Sequence, residues 1–178
     1  MNESNNKLKN KHFSYSIRQF KLDLLFGLCA VFAIITDQIT KYLVINFIPV
    51  NSQVKLIPGF LYLTNIKNTG AAFGLFPSKT NIFIIISMIA VVLIIFLKIS
   101  LNLNSFTYNL ALGFVLGGAV GNLFDRYFIG EVTDFIYFTF FAAVFNGADS
   151  FIVVGFVILF IIIIRNFFIE KHQEVNKV

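Results

Sequence analysis

Residues 149–168 read DSFIVVGFVILFIIIIRNFF, an almost unbroken run of Phe, Ile, Val and Leu. A helix needs about 20 mostly apolar residues to cross a bilayer, and this stretch supplies them. Three further stretches have the same character, at residues 22–45, 82–97 and 108–124. The third is the weakest, being rich in glycine and carrying Asn109 and Asn122. The expected fold class is therefore an all-α membrane protein with four transmembrane helices, formed as a single integral membrane domain over residues 1–178. Composition agrees: 57% of the 178 residues are hydrophobic, 13% are charged, and the mean hydropathy is +0.82. A soluble domain holds roughly 45–50% apolar and about 25% charged residues, so one buried core could not hide this much apolar surface. The abundance of Phe and Ile excludes a disordered chain, and a single Cys excludes a disulfide scaffold. The net charge of +5 sits mainly in two tails that flank apolar spans, which points to membrane orientation rather than to a nucleic-acid partner.

Four spans put both termini on one side. With that side inside, it carries Lys7, Lys9, Lys11, Arg18, Lys21, Lys98, Arg165, Lys171 and Lys177. The other side carries Lys41, Lys55, Lys67, Lys79 and Arg126. The bias of nine against five places both termini in the cytosol, with a cytoplasmic tail over residues 1–21 and outer loops over 46–81 and 125–148. The basic start followed by an apolar run looks like a signal peptide, but no small-residue cleavage site follows, so the first helix reads as an uncleaved start-transfer segment. Cys29 follows Leu28, where a lipobox wants Gly or Ala, and reads as a buried thiol. In the first outer loop the stretch 54–66 alternates around Pro58-Gly59, which predicts a small extracytoplasmic β-hairpin.

On this topology Asp37, Asp125, Glu131, Asp134 and Asp149 all gather at the outer ends of the helices, where acids so close to hydrocarbon mark a candidate site. The chemistry available there is narrow. His12 and His172 both lie in the cytoplasmic tails, which excludes histidine-dependent zinc hydrolases, haem ligation and Ser-His-Asp or Cys-His catalysis at the outer face. No metal or cofactor is called for. Carboxylates are left as the acid–base groups. Two aspartates that share one proton can hydrolyse a peptide without a covalent intermediate, since the ionised one activates water while its partner polarises the carbonyl. Asp134 and Asp149 form the best pair. From spacing alone other readings stay open: Asp149 as a favourable charge at a helix N-terminus capped by Asn146, Asp134 as a solvated loop acid, Asp37 and Lys41 as an i,i+4 ion pair, and Asp125-Arg126 as an interfacial anchor. Gly113, Gly117 and Gly121 form a small-residue stripe suited to close helix contact. A proton-relaying carrier and a structural assembly subunit remain as rivals to an enzyme.

Five blocks in order narrow the choice: Asp37-Gln38-Ile39-Thr40-Lys41, Asn65 to Phe73 (NIKNTGAAF), Gly117 to Arg126 (GGAVGNLFDR), Val132-Thr133-Asp134-Phe135 and Phe145-Asn146-Gly147-Ala148-Asp149. Together they closely resemble the lipoprotein signal peptidase family, also called signal peptidase II. The resemblance implies an aspartyl endopeptidase of the bacterial cytoplasmic membrane, with its active site at the outer face. Its substrates would be prolipoproteins whose lipobox cysteine already carries diacylglycerol, cut just before that cysteine. On the family pattern Asp134 and Asp149 match the catalytic dyad, and Asn68, Gly70, Asn122, Arg126 and Asn146 match residues that line or brace the site. Asp37, Lys41 and Asp125 match supporting positions. The resemblance also implies a small β-cradle on the outer surface, contact with membrane lipids, and inhibition by globomycin-type cyclic peptides. A single bundle holding both acids points to a monomer. One departure stands out: the stretch 138–145 is short and rich in Phe and Ala, and the chain has no Trp, where the family often has a longer stretch holding Trp and Pro.

Overall fold

A computed structural model describes residues 2–70, 80–101 and 104–175 of the chain. Within the quoted blocks, Ala71, Ala72 and Phe73 lie outside the described residues, as do Lys79 and Lys177. The elements run α1 (Asn2–Phe47), β1 (Gln53–Ile57), β2 (Leu61–Asn68), α2 (Thr80–Ser100), α3 (Phe106–Phe128), β3 (Val132–Phe138), β4 (Val144–Phe145) and α4 (Gly147–Val175). All four helices are long and apolar enough to cross a membrane.

Two of them outrun the apolar runs that announce them. Helix α1 starts at Asn2 where the sequence suggests a tail up to residue 21, because no Pro or Gly interrupts the chain before Gly27. Helix α4 likewise continues to Val175. The faint third span has a packing explanation. Over half of its most apolar window is buried inside the bundle (56%), against 22%, 11% and 6% for α1, α2 and α4. A helix that faces other helices rather than lipid needs little oil of its own, and it profits from small residues that let backbones approach.

Glycines on α3 show how close that approach is. A Cβ on Gly113 would meet the Phe26 carbonyl oxygen at 2.7 Å, and one on Gly117 would press on the Ala30 carbonyl oxygen, so this face lies against α1. Gly118 faces α4, where a Cβ would lie 2.7 Å from Ile152 Cγ1 and closer still to the Ala148 carbonyl oxygen. Gly118→Ala is therefore expected to push α4 away beside Asp149 and to cost about 1–3 kcal/mol. A lowered thermal midpoint in detergent would register this; an unchanged midpoint would contradict the contact.

The two inter-helix connections on one side of the bundle pair into an antiparallel sheet of order β1-β2-β3-β4. The β1–β2 hairpin turns at Pro58-Gly59, with Gly59 at φ 73°. The sheet is larger than a hairpin, since residues 132–145, between α3 and α4, add β3 and β4 to it. Phe135 on β3 packs with Val44 and Ile48 at the end of α1, and the Asn65 amide donates to the Ile48 carbonyl at 2.8 Å. The sheet is thereby fixed to the bundle end, where it carries Asp134.

Candidate active site

Asp149 enters through a reciprocal cap. Asn146 precedes α4 and accepts the Asp149 backbone N–H on its side-chain oxygen at 2.9 Å, while the Asn146 N–H donates to Asp149 Oδ2 at 3.3 Å. Each satisfies a donor left unpaired at the start of the helix, and the carboxylate rests at the positive end of the helix dipole. The same Asn146 amide donates through Nδ2 to Asp134 Oδ1 at 2.7 Å. One asparagine thus ties the two aspartates together from different elements.

The other oxygens are also held. Asn68, on β2 beside Asp134, donates to Asp134 Oδ2 at 2.8 Å, and its own amide oxygen accepts the Gly70 N–H at 2.9 Å. Asn122 of α3 donates to Asp149 Oδ1 at 2.7 Å. Both aspartates line one cleft of about 230 Å³ with Asn68, Asn122, Arg126 and Asn146, and its apolar wall includes Val132, Phe145 and Ile152. Arg126 reaches the Asn122 and Gly70 carbonyls and lies over the Phe83 ring.

Below the cleft lies a buried charge cluster. Lys41 Nζ donates to Asp37 Oδ2 at 2.7 Å, to Asp125 Oδ2 at 2.5 Å and to Asn122 Oδ1 at 3.2 Å. Asp37, Lys41 and Asp125 are only 0%, 3% and 2% exposed, so these are fully desolvated charges. Asp37 Oδ1 accepts the Ala148 N–H at 2.7 Å, which fixes the start of α4 to α1. Gln38 bridges the two acids, donating to Asp125 Oδ1 at 2.9 Å and to Asp37 Oδ2 at 3.3 Å.

Burial is the main reason that Asp134 has its carboxyl pushed up to about 6, with the Asp149 charge adding to the rise; the amides of Asn68 and Asn146 and the Lys41 charge oppose it. Among the described residues no group of three or more His, Cys, Asp or Glu is arranged to hold a metal ion.

The family description signal peptidase (SPase) II matches residues 29–165. The lipoprotein signal peptidase of Caldanaerobacter subterraneus subsp. tengcongensis is 48% identical over 128 residues, covering 72% of this chain and 88% of that protein. The chain belongs to the signal peptidase II family. The lipoprotein signal peptidase of Enterococcus faecalis is 39% identical over 158 residues, covering 88% of this chain and 96% of its own. A solved bacterial membrane enzyme superposes with a TM-score of 0.74 at 33% identity, over 79% of this chain and 88% of that one. As a signal peptidase II family member the chain is a peptidase, and the carrier and assembly-subunit readings fall away.

Within this peptidase the structure joins Asp37, Lys41, Asn68, Gly70, Asn122, Asp125, Arg126, Asp134, Asn146 and Asp149 into one connected network. Glu131 stands apart from it, 3.8 Å from Lys67 in a partly exposed ion pair. Sequence reasoning passed over Gln38 and the Ala148 backbone N–H. Gln38 carried a signal, as a polar residue within an apolar span next to Asp37; the Ala148 contact carried none, because it depends on how α1 meets α4.

Proposed function

We propose that this membrane peptidase removes signal peptides from bacterial prolipoproteins whose lipobox cysteine carries diacylglycerol, cutting just before that cysteine, with Asp134 and Asp149 as its acid–base pair. The observation that carries this reading is the shared Asn146, which holds both carboxylates at one cleft in the end of a membrane bundle. The substrate chemistry fits the place: a signal helix lying in the bilayer with a lipid at its end presents its scissile bond near the headgroups.

In the reaction the ionised aspartate takes a proton from water, and the water oxygen attacks the carbonyl carbon. The protonated aspartate gives its proton to the carbonyl oxygen. Collapse of the resulting diol breaks the C–N bond: one diol hydroxyl returns its proton to the aspartate that had protonated the carbonyl, and the proton gained from water passes to the departing cysteine nitrogen. Asn68, Asn122 and Asn146 orient the four carboxylate oxygens, and Arg126 lines the cleft beside them. Lys41 and Asp37 hold Asn122 and the start of α4 in register.

The raised value of Asp134 supports a proton shared within the pair, which is described by joint titration. The sign is fixed by the raised value: Asp134 is protonated below about 6 and loses its proton above it. Infrared difference spectra of the substrate-free protein should show a protonated carboxyl band that disappears as pH rises through about 6 and is absent in Asp134→Asn. The folded state also gives up stability across the same window, since the proton is bound more tightly there than in the unfolded chain. A pair without any protonated carboxyl at pH 5 would contradict the shared proton.

The nine-to-five distribution of Lys and Arg supports termini in the cytosol and a cleft at the outer face of the cytoplasmic membrane. A single bundle holds both acids at one cleft, which supports action as a monomer. Globomycin-type cyclic peptides would occupy the same cleft. The test of substrate class is cleavage by purified protein of one precursor with and without diacylglycerol: the lipidated form should be cut far faster, and equal rates would overturn the assignment.

A further inference from the structure

The sheet is two-faced. Cross-strand register places Val54, Leu63 and Ile136 in one row and Leu61 beside Phe138 in a second row on the same face. Lys55, Tyr62 and Tyr137 form a row on the other face. Alternation along β3 gives Asp134 the first face, the one turned toward Asn146 and the start of α4. That face carries the cleft, and its apolar rows lead away from it, while Phe135 on the other face packs on the end of α1.

At the far end the face closes in an aromatic cluster. Phe60, from the β1–β2 turn, and Phe140, from the β3–β4 turn, join Phe138, with ring centroids 5.6 Å, 5.5 Å and 5.4 Å apart. The two turns are tied, because Thr139 donates its N–H to the Phe60 carbonyl at 3.1 Å and its hydroxyl to the Gly59 carbonyl at 2.8 Å. Although they pack on one another, Phe60 is 45% and Phe140 70% exposed. Apolar rings left this open on a tied, ordered tip are matched to an apolar surrounding. The bilayer provides one at this level. Helices α1 and α3 reach this side with exposed Phe47 and Phe128 at their last residues, so the lipid-facing surface of the bundle extends up to the sheet.

We propose that Phe60, Phe138 and Phe140 form a membrane anchor that enters the interfacial region of the leaflet beside the cleft, while Lys55, Tyr62 and Tyr137 face water. The lipid surface is the partner. Apolar rings inserted to the depth of the glycerol and upper acyl chains gain burial, and a cation on the opposite face stays hydrated. The consequence for the enzyme is geometric. Strand β3 carries Asp134 near one end and Phe138 at the other, so an anchored tip holds that carboxyl at a set height relative to the lipid. The inference needs only the membrane spans and no catalytic assignment.

The absence of Trp from the chain makes the test direct, since one substitution installs the sole indole. The full-length protein carrying Phe140→Trp is placed in nanodiscs of phosphatidylethanolamine and phosphatidylglycerol, with or without bromine on the acyl chains near the glycerol. Its emission should shift to the blue and lose most of its intensity to the brominated lipid, while acrylamide in the water quenches it little. Tyr137→Trp, on the other face, should show the reverse, and Phe60→Trp repeats the measurement on the second turn. Phe140→Trp emission that is open to acrylamide and untouched by bromine overturns the proposal. Shielding from both quenchers that vanishes when the protein is diluted in lipid assigns the cluster to a second copy and overturns it as well.

Discussion

Lys41→Met is expected to lose about 3–5 kcal/mol of stability and, with it, most of the folded protein recovered in detergent. The reason is the company that Lys41 keeps. Its ammonium neutralises Asp37 and Asp125 together, at 2.7 Å and 2.5 Å, and all three residues are almost fully buried. A methionine fills the same space and leaves two carboxylates in a medium that solvates neither. The damage spreads to the cleft, because the same ammonium holds the Asn122 amide whose other end donates to Asp149. Combining Lys41→Met with Asp37→Asn and Asp125→Asn removes the uncompensated charges and should restore a good part of the stability without restoring turnover. Thermal unfolding of the two variants side by side checks this. A wild-type midpoint for Lys41→Met alone would show that the cluster is not held by the lysine.

Much of the architecture is written in hydropathy. The runs at 82–97 and 149–168 pack on α3 along one side and bury few of their residues inside the bundle, so most of them must be apolar and they announce α2 and α4. Helix α3 is faint because its neighbours replace lipid, and the ends of α1 and α4 are silent because a helix that leaves the membrane needs no apolar residues. The β1–β2 hairpin shows itself through alternation and a Pro-Gly turn, having one exposed strand and one side to bury. Strand β3 does not alternate: Val132, Phe135, Ile136 and Phe138 fall on both parities, since one face meets the cleft and the other meets the end of α1. A run of β-branched and aromatic residues was the remaining signal for it.

The candidate site was legible as a set of residue types rather than as an arrangement. Removing histidine from the outer side left carboxylates and amides, and the five blocks named which ones. Asn146 was readable as a helix cap, but that its amide also reaches Asp134 on another element was not. The three-way grip of Lys41 was half visible: the i,i+4 spacing gives Asp37, whereas Asp125 and Asn122 arrive only through the packing of α3 on α1.

If Asp134 and Asp149 form the proposed acid–base pair, Asp134→Asn and Asp149→Asn should have the largest kinetic effect. Each exchanges a carboxylate for an amide of the same shape, so the fold and the cleft should survive, while the pair loses either its base or its shared proton. Acid–base catalysis by a positioned side chain is worth about 10²–10⁴-fold, and because the two act as a unit either change alone should remove nearly all of it. The double variant should be little worse than the single ones. Asn68→Ala, which leaves both carboxylates in place but frees Asp134 Oδ2, should be slowed by less.

The most direct test is the rate at which purified Asp134→Asn and Asp149→Asn, each shown to be folded by an unchanged thermal midpoint or a raised one, release the signal peptide from a diacylglyceryl-modified precursor in the presence of lipid. The two-aspartate account predicts no detectable release by either protein under conditions where the wild type finishes the reaction. Release by either folded variant at a rate near the wild type would contradict it.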